Sequence, residues 1–357
     1  MRPNRKDNRQ DGFSMVELMI SMATMTIITG AAFALIGSSI KFAGATYHVT
    51  DSEQGLRTAH EIIHRDLTTA GNGLRGIGTI QVPKTFVQSY LTQTPVVDPG
   101  SPNYVNLALL TSDDAVPANT AVPQASPAAN VLGATDRMTL LTTDTSFTPV
   151  TLLAGKIIVA SPNTNIVVPP GDIGRFQAGE VYAIVSQNSA AFGRISSVNT
   201  ATKILTMTNG DVYGLNQTGP GTPIYTVSAV VSGISTQPAT ILRIQMIQYY
   251  VNSNNLLMRR VFGVKGSTFV DSIIAEHVTN VQFRYLMNLA DANGFVPQPV
   301  RQLSTSQQQL AVREVETTIA VETLRALNTV TANNNGKQVI SSTTATTVRN
   351  LQFRQAL

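Results

Sequence analysis

The sequence predicts an α+β fold. A long N-terminal helix, its first half transmembrane, packs by its second half on an antiparallel β-sheet, and further strands form an additional β-rich subdomain. Three observations predict it. Leu18 to Ile40 is a run of 23 residues with no charged side chain. Between Asp51 and Ala70 there is no proline, and Leu56, Ala59, Ile63, Leu67 and Ala70 recur at steps of three and four, the stripe of an amphipathic helix. Beyond residue 75 the chain breaks into short β-branched runs separated by Asn, Asp, Gly and Pro, which is strand patterning.

In chain order, residues 1–12 form a leader with the bases Arg2, Arg5, Lys6 and Arg9. Residues 13–71 form the long helix, transmembrane over about 18–40 and amphipathic over about 51–70. As a helix the uncharged run is about 35 Å long, enough for a hydrocarbon core of about 30 Å. An interior glycine costs about 1 kcal/mol, so Gly44 marks a candidate break, and Gly71 and Gly73 end the helix. Residues 72–357 form the β-rich domain. Its strands are expected in Met138–Thr142, Lys156–Ala160, Glu180–Val185, Lys203–Thr208, Ile241–Val251, Asn255–Phe262 and Asn280–Met287, with a hairpin turn at Asn252-Ser253-Asn254. From Arg313 to Glu322, Val315, Thr317, Ile319 and Val321 alternate with glutamates, a half-buried strand. A last strand is expected near Thr346 to Phe353. Residues 112–130 read as a loop insertion, 290–310 as a second long loop and 333–336 as a tight polar one. No internal repeat is visible.

Only 13% of the 357 residues are charged, which suits an exported β domain better than a cytosolic enzyme. No cysteine is present, so neither disulfides nor thiol chemistry support the fold. Formal net charge is +4, and the leader's four bases and two acids leave the remainder near +2. No clustered basic stripe of the nucleic-acid-binding kind appears, so no nucleic-acid partner is expected.

The junction of leader and run reads Gly12-Phe13-Ser14-Met15-Val16-Glu17. Glycine leaves the bond after it unobstructed, and the basic leader holds that bond on the cytoplasmic side. Glu17 is an acid at the mouth of an apolar span, a costly placement that implies a partner. This arrangement resembles the class III leader of type IV prepilins and type II secretion pseudopilins. The resemblance implies that prepilin peptidase cuts after Gly12 and methylates Phe13. Glu17 would be the fifth residue of the mature chain, matched in assembly to the N-terminal amine of a neighbouring subunit.

Further stretches narrow the resemblance. Arg65-Asp66-Leu67 with Ala70-Gly71, then Tyr249-Tyr250-Val251, Asn255-Leu256, Arg259-Arg260, Val278 to Tyr285, Arg313 and Val348-Arg349-Asn350 are similar to the PilW group of minor pilins. The similarity covers residues 12–71 and 240–357; 76–235 resembles nothing. Unlike many pilins, the chain lacks paired cysteines near its C-terminus. The implied function is that of a non-enzymatic minor pilin acting in pilus initiation or at the tip. It would partner other minor and major pilins through its N-terminal helix. It would sit first in the inner membrane with its C-terminal domain periplasmic, and later on the pilus. A J-like minor pseudopilin of type II secretion is the alternative within the class. An adhesin or DNA-uptake tip is a third reading, with 76–235 as its only room.

Several strings mimic enzymes. His60-Glu61-Ile62-Ile63-His64 has zincin spacing, yet no Glu follows before Glu180 to serve as third ligand, and Leu67 stands where metzincins carry Gly. The two histidines read as boundary residues of the apolar stripe, with no metal or cofactor expected. Gly71-Asn-Gly73-Leu-Arg-Gly76 spells a dinucleotide fingerprint but follows a helix instead of a strand. Asp113-Asp114 and Asp291-Ala-Asn293-Gly294 hold too few acids for a calcium loop and read as turns. Arg259 and Arg260 alternate across a strand, so at most one faces a partner, and a solvated face is the ordinary reading.

Overall fold

The computed structural model describes residues 14–72, 74, 77, 79–91, 103–116, 135–187, 189–264, 268–288, 299–303, 306–327 and 336–349. Helix α1 runs unbroken from Met15 to Thr69, 55 residues. Ser14 caps it: its hydroxyl accepts from the Val16 N–H at 3.4 Å, and Glu17 Oε2 accepts the Ser14 N–H at 3.1 Å, a reciprocal capping box. No break occurs at Gly44. Helical bonds on both sides carry the chain through it, and the Thr46 hydroxyl bonds back to the Phe42 carbonyl at 3.0 Å, so cooperativity outweighs the local cost of the glycine. Ala70 leaves helical geometry and Gly71 turns at φ +73°, while the Gly71 N–H reaches Leu141 O at 2.8 Å. Gly73 lies outside the described residues.

The strands in chain order are β1 (Thr79–Pro83), β2 (Tyr104–Ala108), β3 (Leu110–Val116), β4 (Thr135–Thr143), β5 (Val150–Leu152), β6 (Ile157–Ala160), β7 (Asn163–Val167), β8 (Val181–Ser186), β9 (Ser189–Arg194), β10 (Ser197–Asn199), β11 (Ile204–Thr208), β12 (Val230–Val231), β13 (Ile234–Ser235), β14 (Ala239–Leu242), β15 (Ile244–Val251), β16 (Leu257–Phe262), β17 (Phe269–Ala275), β18 (Val278–Met287), β19 (Val312–Glu322) and β20 (Val339–Thr347). They form four sheets: β17-β16-β15-β4-β3, β18-β19-β20, β2-β1-β9-β8-β14-β5 and β10-β11-β7-β6-β13-β12. Pairing is antiparallel except between β1 and β9.

Among the described residues two hydrophobic cores result. The first gathers the stripe of α1 (Leu56, Ala59, Ile63, Leu67 and Ala70) against Tyr249, Leu257, Phe283, Val315 and Ile319. All five stripe residues are buried, as their spacing predicts. The second core holds Ile166, Leu205, Met207 and Ile241, with Phe147, Phe176 and Tyr182 packed ring to ring at 5.2–5.4 Å.

The second core belongs to an insertion. Thr143, the end of β4, pairs directly with Ile244, the start of β15. The chain therefore leaves one strand, builds residues 144–243, and returns to the neighbouring strand. The stretch expected as one strand, Ile241–Val251, is accordingly two, in different sheets. Arg243 is the break, and the return is pinned by Arg243 Nη2 to Asp144 Oδ2 at 2.6 Å. Gly263 closes a second seam. It sits at φ +63°, its carbonyl accepts the Val181 N–H at 3.1 Å, and a Cβ there would stand 2.4 Å from Val181 Cγ2.

Two loop expectations and one strand position are corrected. The stretch 112–130 begins as strand, because β3 continues to Val116 with Ser112 opposite Met138; 117–130 lies outside the described residues. Within 290–310, Val300 bridges to Tyr285 and Ser306–Leu310 is a short helix, α2; 289–298 and 304–305 are outside. The final strand is Val339–Thr347, with Val348 and Arg349 beyond it and 350–353 undescribed. It is Ser/Thr-rich, so its alternation carries no hydrophobic signal, although Thr344 and Thr346 face α1. Of the 333–336 loop only Gly336 is described.

Candidate functional site

The amino half of α1 presents apolar side chains in all directions. Ile20, Met25, Ile28, Phe33, Ile36 and Ile40 are all exposed. Such a surface cannot stay in water; a helix apolar all round belongs inside a membrane or among other helices. Among the described residues, α1 is the one helix long and apolar enough to cross a membrane. Most of its hydroxyls turn onto their own backbone: Ser21 to Leu18 O at 2.9 Å, Thr26 to Met22 O at 2.8 Å and Ser38 to Leu35 O at 2.8 Å. That satisfies the polar groups without water. Glu17 sits at the mouth of this rod within the capping box. Gly12 and Phe13 lie outside the described residues.

The carboxyl half ends in a buried polar clasp. Asp66, 5% exposed, faces the sheet within the apolar stripe. Its Oδ2 lies 2.5 Å from Arg259 Nε on β16 and accepts the Tyr249 hydroxyl of β15 at 2.6 Å. Burial disfavours the Arg259 charge, but the bond to and the field of Asp66 outweigh it and hold the guanidinium above its usual range. Burial and then the same carboxylate push the Tyr249 phenol upward, so it stays a donor. Nothing in the spacing of Asp66, Tyr249 and Arg259 along the sequence joins them. Arg260 turns to the other face. It holds Asp271 through two bonds of 2.7 and 2.6 Å and lies 3.9 Å from the Phe269 ring centroid. Both arginines are therefore partnered within the chain, which overturns the solvated face.

His60 and His64 dock the helix on β20. His60 Nδ1 lies 2.7 Å from Thr344 Oγ1, and His64 Nδ1 lies 3.0 Å from Thr346 Oγ1. Residues four apart on the helix thus meet residues two apart on the strand. His60 is buried and Nε2 has no hydrogen-bond partner among the described residues, while Glu61 is exposed on the other side. Among the described residues no three metal-ligating side chains converge. Burial holds the His60 pKa below its usual value, against an opposing bond from the Ser342 backbone. Asp113 pairs with buried Arg137 at 3.6 Å in strand β3, not a turn. Asp291, Asn293, Gly294, Gly73 and Gly76 lie outside the described residues.

With this geometry in place, comparison with known families is informative at one end of the chain. Residues 7–33 match the model of the prokaryotic N-terminal methylation motif. The chain has a prepilin-like N-terminus. The motif marks type IV pilins and pseudopilin-like proteins, structural subunits that a prepilin peptidase processes before assembly. It overlaps Glu17 and most of the exposed rod, and the apolar helix is consistent with the membrane anchor that such a motif precedes. No curated protein matches the chain.

Two outcomes follow. Asp66→Ala leaves Arg259 without its counter-charge and lowers unfolding free energy by about 3 kcal/mol, the lower end for a broken buried pair; urea titration of the full chain in detergent checks this, and a loss under about 1 kcal/mol contradicts it. For His60, the folded pKa lies below the unfolded value of about 6.5. Its contribution is therefore intact above that pH and is lost as the pH falls towards the folded pKa, because the unfolded chain takes the proton first. His60→Gln should flatten this acid limb of a stability–pH profile; an unchanged limb assigns it elsewhere.

Proposed function

We propose that this protein is a minor pilin of the PilW group, a non-enzymatic subunit that acts in pilus initiation or at the pilus tip. Residues 1–12 are the leader, Gly12 precedes the cut, and Phe13 is the methylated first residue of the mature chain. The observation that carries the finer reading is the Asp66–Arg259–Tyr249 clasp. It joins into one interaction the two stretches of sequence, 12–71 and 240–357, that resemble this group.

The bulk of the molecule supports a minor position. Residues 144–243 add a second core beside the first, and such a body would crowd a closely repeated helical shaft. In assembly the rod of α1 packs among the rods of other pilins. Glu17 exchanges the Ser14 N–H for, or shares it with, the N-terminal amine of a neighbour, since a carboxylate at that depth needs a cationic or hydrogen-bonding partner.

Sequencing of the protein isolated from its native membranes should begin at N-methylated Phe13. Glu17→Ala should leave processing intact and reduce recovery in sheared filaments at least tenfold. A start elsewhere removes the leader assignment; wild-type recovery removes the role of Glu17. Loss of protein secretion with pili intact would move the chain to the pseudopilins.

A further inference from the structure

Where the uncharged run ends, α1 and the β domain border an open groove of about 1050 Å³. One wall is the helix from Ser38 to Val49, including Lys41, Phe42, Ala45 and His48; the other is formed by Arg325 and Leu327 after β19, with Gln338 before β20. Lys41 and Arg325 are exposed cations that join no ion pair among the described residues. No acid lines the groove among those residues. The floor is apolar.

Its level along the rod is defined. With Leu18 to Ile40 in hydrocarbon, Lys41 is the first residue past the boundary. The headgroup layer on each side of a bilayer is about 5–7 Å deep, so at 1.5 Å per residue it covers about residues 41–45. The groove thus opens at the depth of the lipid phosphates, with two unmatched positive charges above an apolar base. A second copy of this chain would bring its own Lys41 to the same level, where like charges repel.

We propose that this groove binds one anionic phospholipid of the membrane that holds α1. Its phosphate sits between Lys41 and Arg325, and its glycerol and upper acyl chain lie on Phe42, Ala45 and Leu327. The lipid ties the β domain to the membrane surface before assembly. The inference rests on the reading of residues 18–40 as a bilayer span.

The test uses the full chain reconstituted in vesicles of equal phosphatidylcholine and phosphatidylglycerol, released in mild detergent and weighed by native mass spectrometry. One retained phosphatidylglycerol is expected in preference to phosphatidylcholine. Each basic residue near an anionic surface contributes about a fivefold effect, so Lys41→Gln and Arg325→Gln should each lower the preference about fivefold, and together about 25-fold. Lys41→Arg and Arg325→Lys should keep it. Equal retention of both lipids, or an unchanged preference in the double variant, overturns the proposal. Displacement of the lipid by excess free glycerol phosphate overturns the commitment to a membrane lipid. Flotation of these vesicles before detergent release separates the two layers of inference: protein that floats but shows no lipid preference removes this site alone. Protein that does not float removes the bilayer span and the site with it.

Discussion

The contact between Asp66 and Arg259, 2.5 Å long and largely out of water, ties the helix to the sheet. A helix docked only by an apolar stripe can slide by a turn or rotate by tens of degrees and still bury Leu, Ile and Ala. A carboxylate that must meet one guanidinium and one phenol cannot. Asp66 therefore sets both register and rotation of α1 on β15 and β16. His60 and His64 repeat the constraint on β20 at the adjacent turns, through bonds of 2.7 and 3.0 Å to Thr344 and Thr346. Because α1 is one unbroken rod, fixing its carboxyl half also fixes the direction in which the exposed apolar half leaves the domain.

That rod meets two environments. From Met15 to about Phe42 it shows apolar surface all round, and most of its hydroxyls are spent on its own backbone. From Leu56 to Ala70 only one face is apolar, and that face is covered. The change happens within about 14 residues and without a hinge, since Gly44 does not interrupt the helix. The β domain must then stand close to the surface of whatever holds the amino half, which is why its lower loops can share a groove with residues 38–49.

Much of the helix was legible because its physics is periodic and local. The uncharged 23-residue run, the five stripe residues and the terminating Gly71 could each be read from spacing alone. Most strands with β-branched alternation were legible for the same reason. The clasp was not, because its members stand 183 and 193 residues apart. The pattern could name Asp66, Tyr249 and Arg259 but not bring them together, and it mistook an internal pair for a solvated face. Within the silent stretch 76–235, residues 144–235 belong to the insertion. Residues 144–243 interrupt two strands that pair with each other; they carry a core of their own, while Val181, Phe192, Tyr213 and Leu215 join the core that the helix also enters. Strand β20 runs earlier than the spacing suggests because, apart from Ile340, serine and threonine form its inward face.

A single continuous helix carries both the all-round apolar surface and the stripe that packs in the protein core. The chain contains no cysteine, so single cysteines can be placed one at a time from residue 18 to residue 70, spin-labelled, and measured in vesicles. Accessibility to oxygen should be high and that to a polar nickel chelate low at every position from 18 to 40. Beyond residue 51 a repeat of 3.6 residues should appear, with minima at 56, 59, 63 and 67. Free access of the chelate throughout 18–40, or a flat profile beyond 51, would contradict the division.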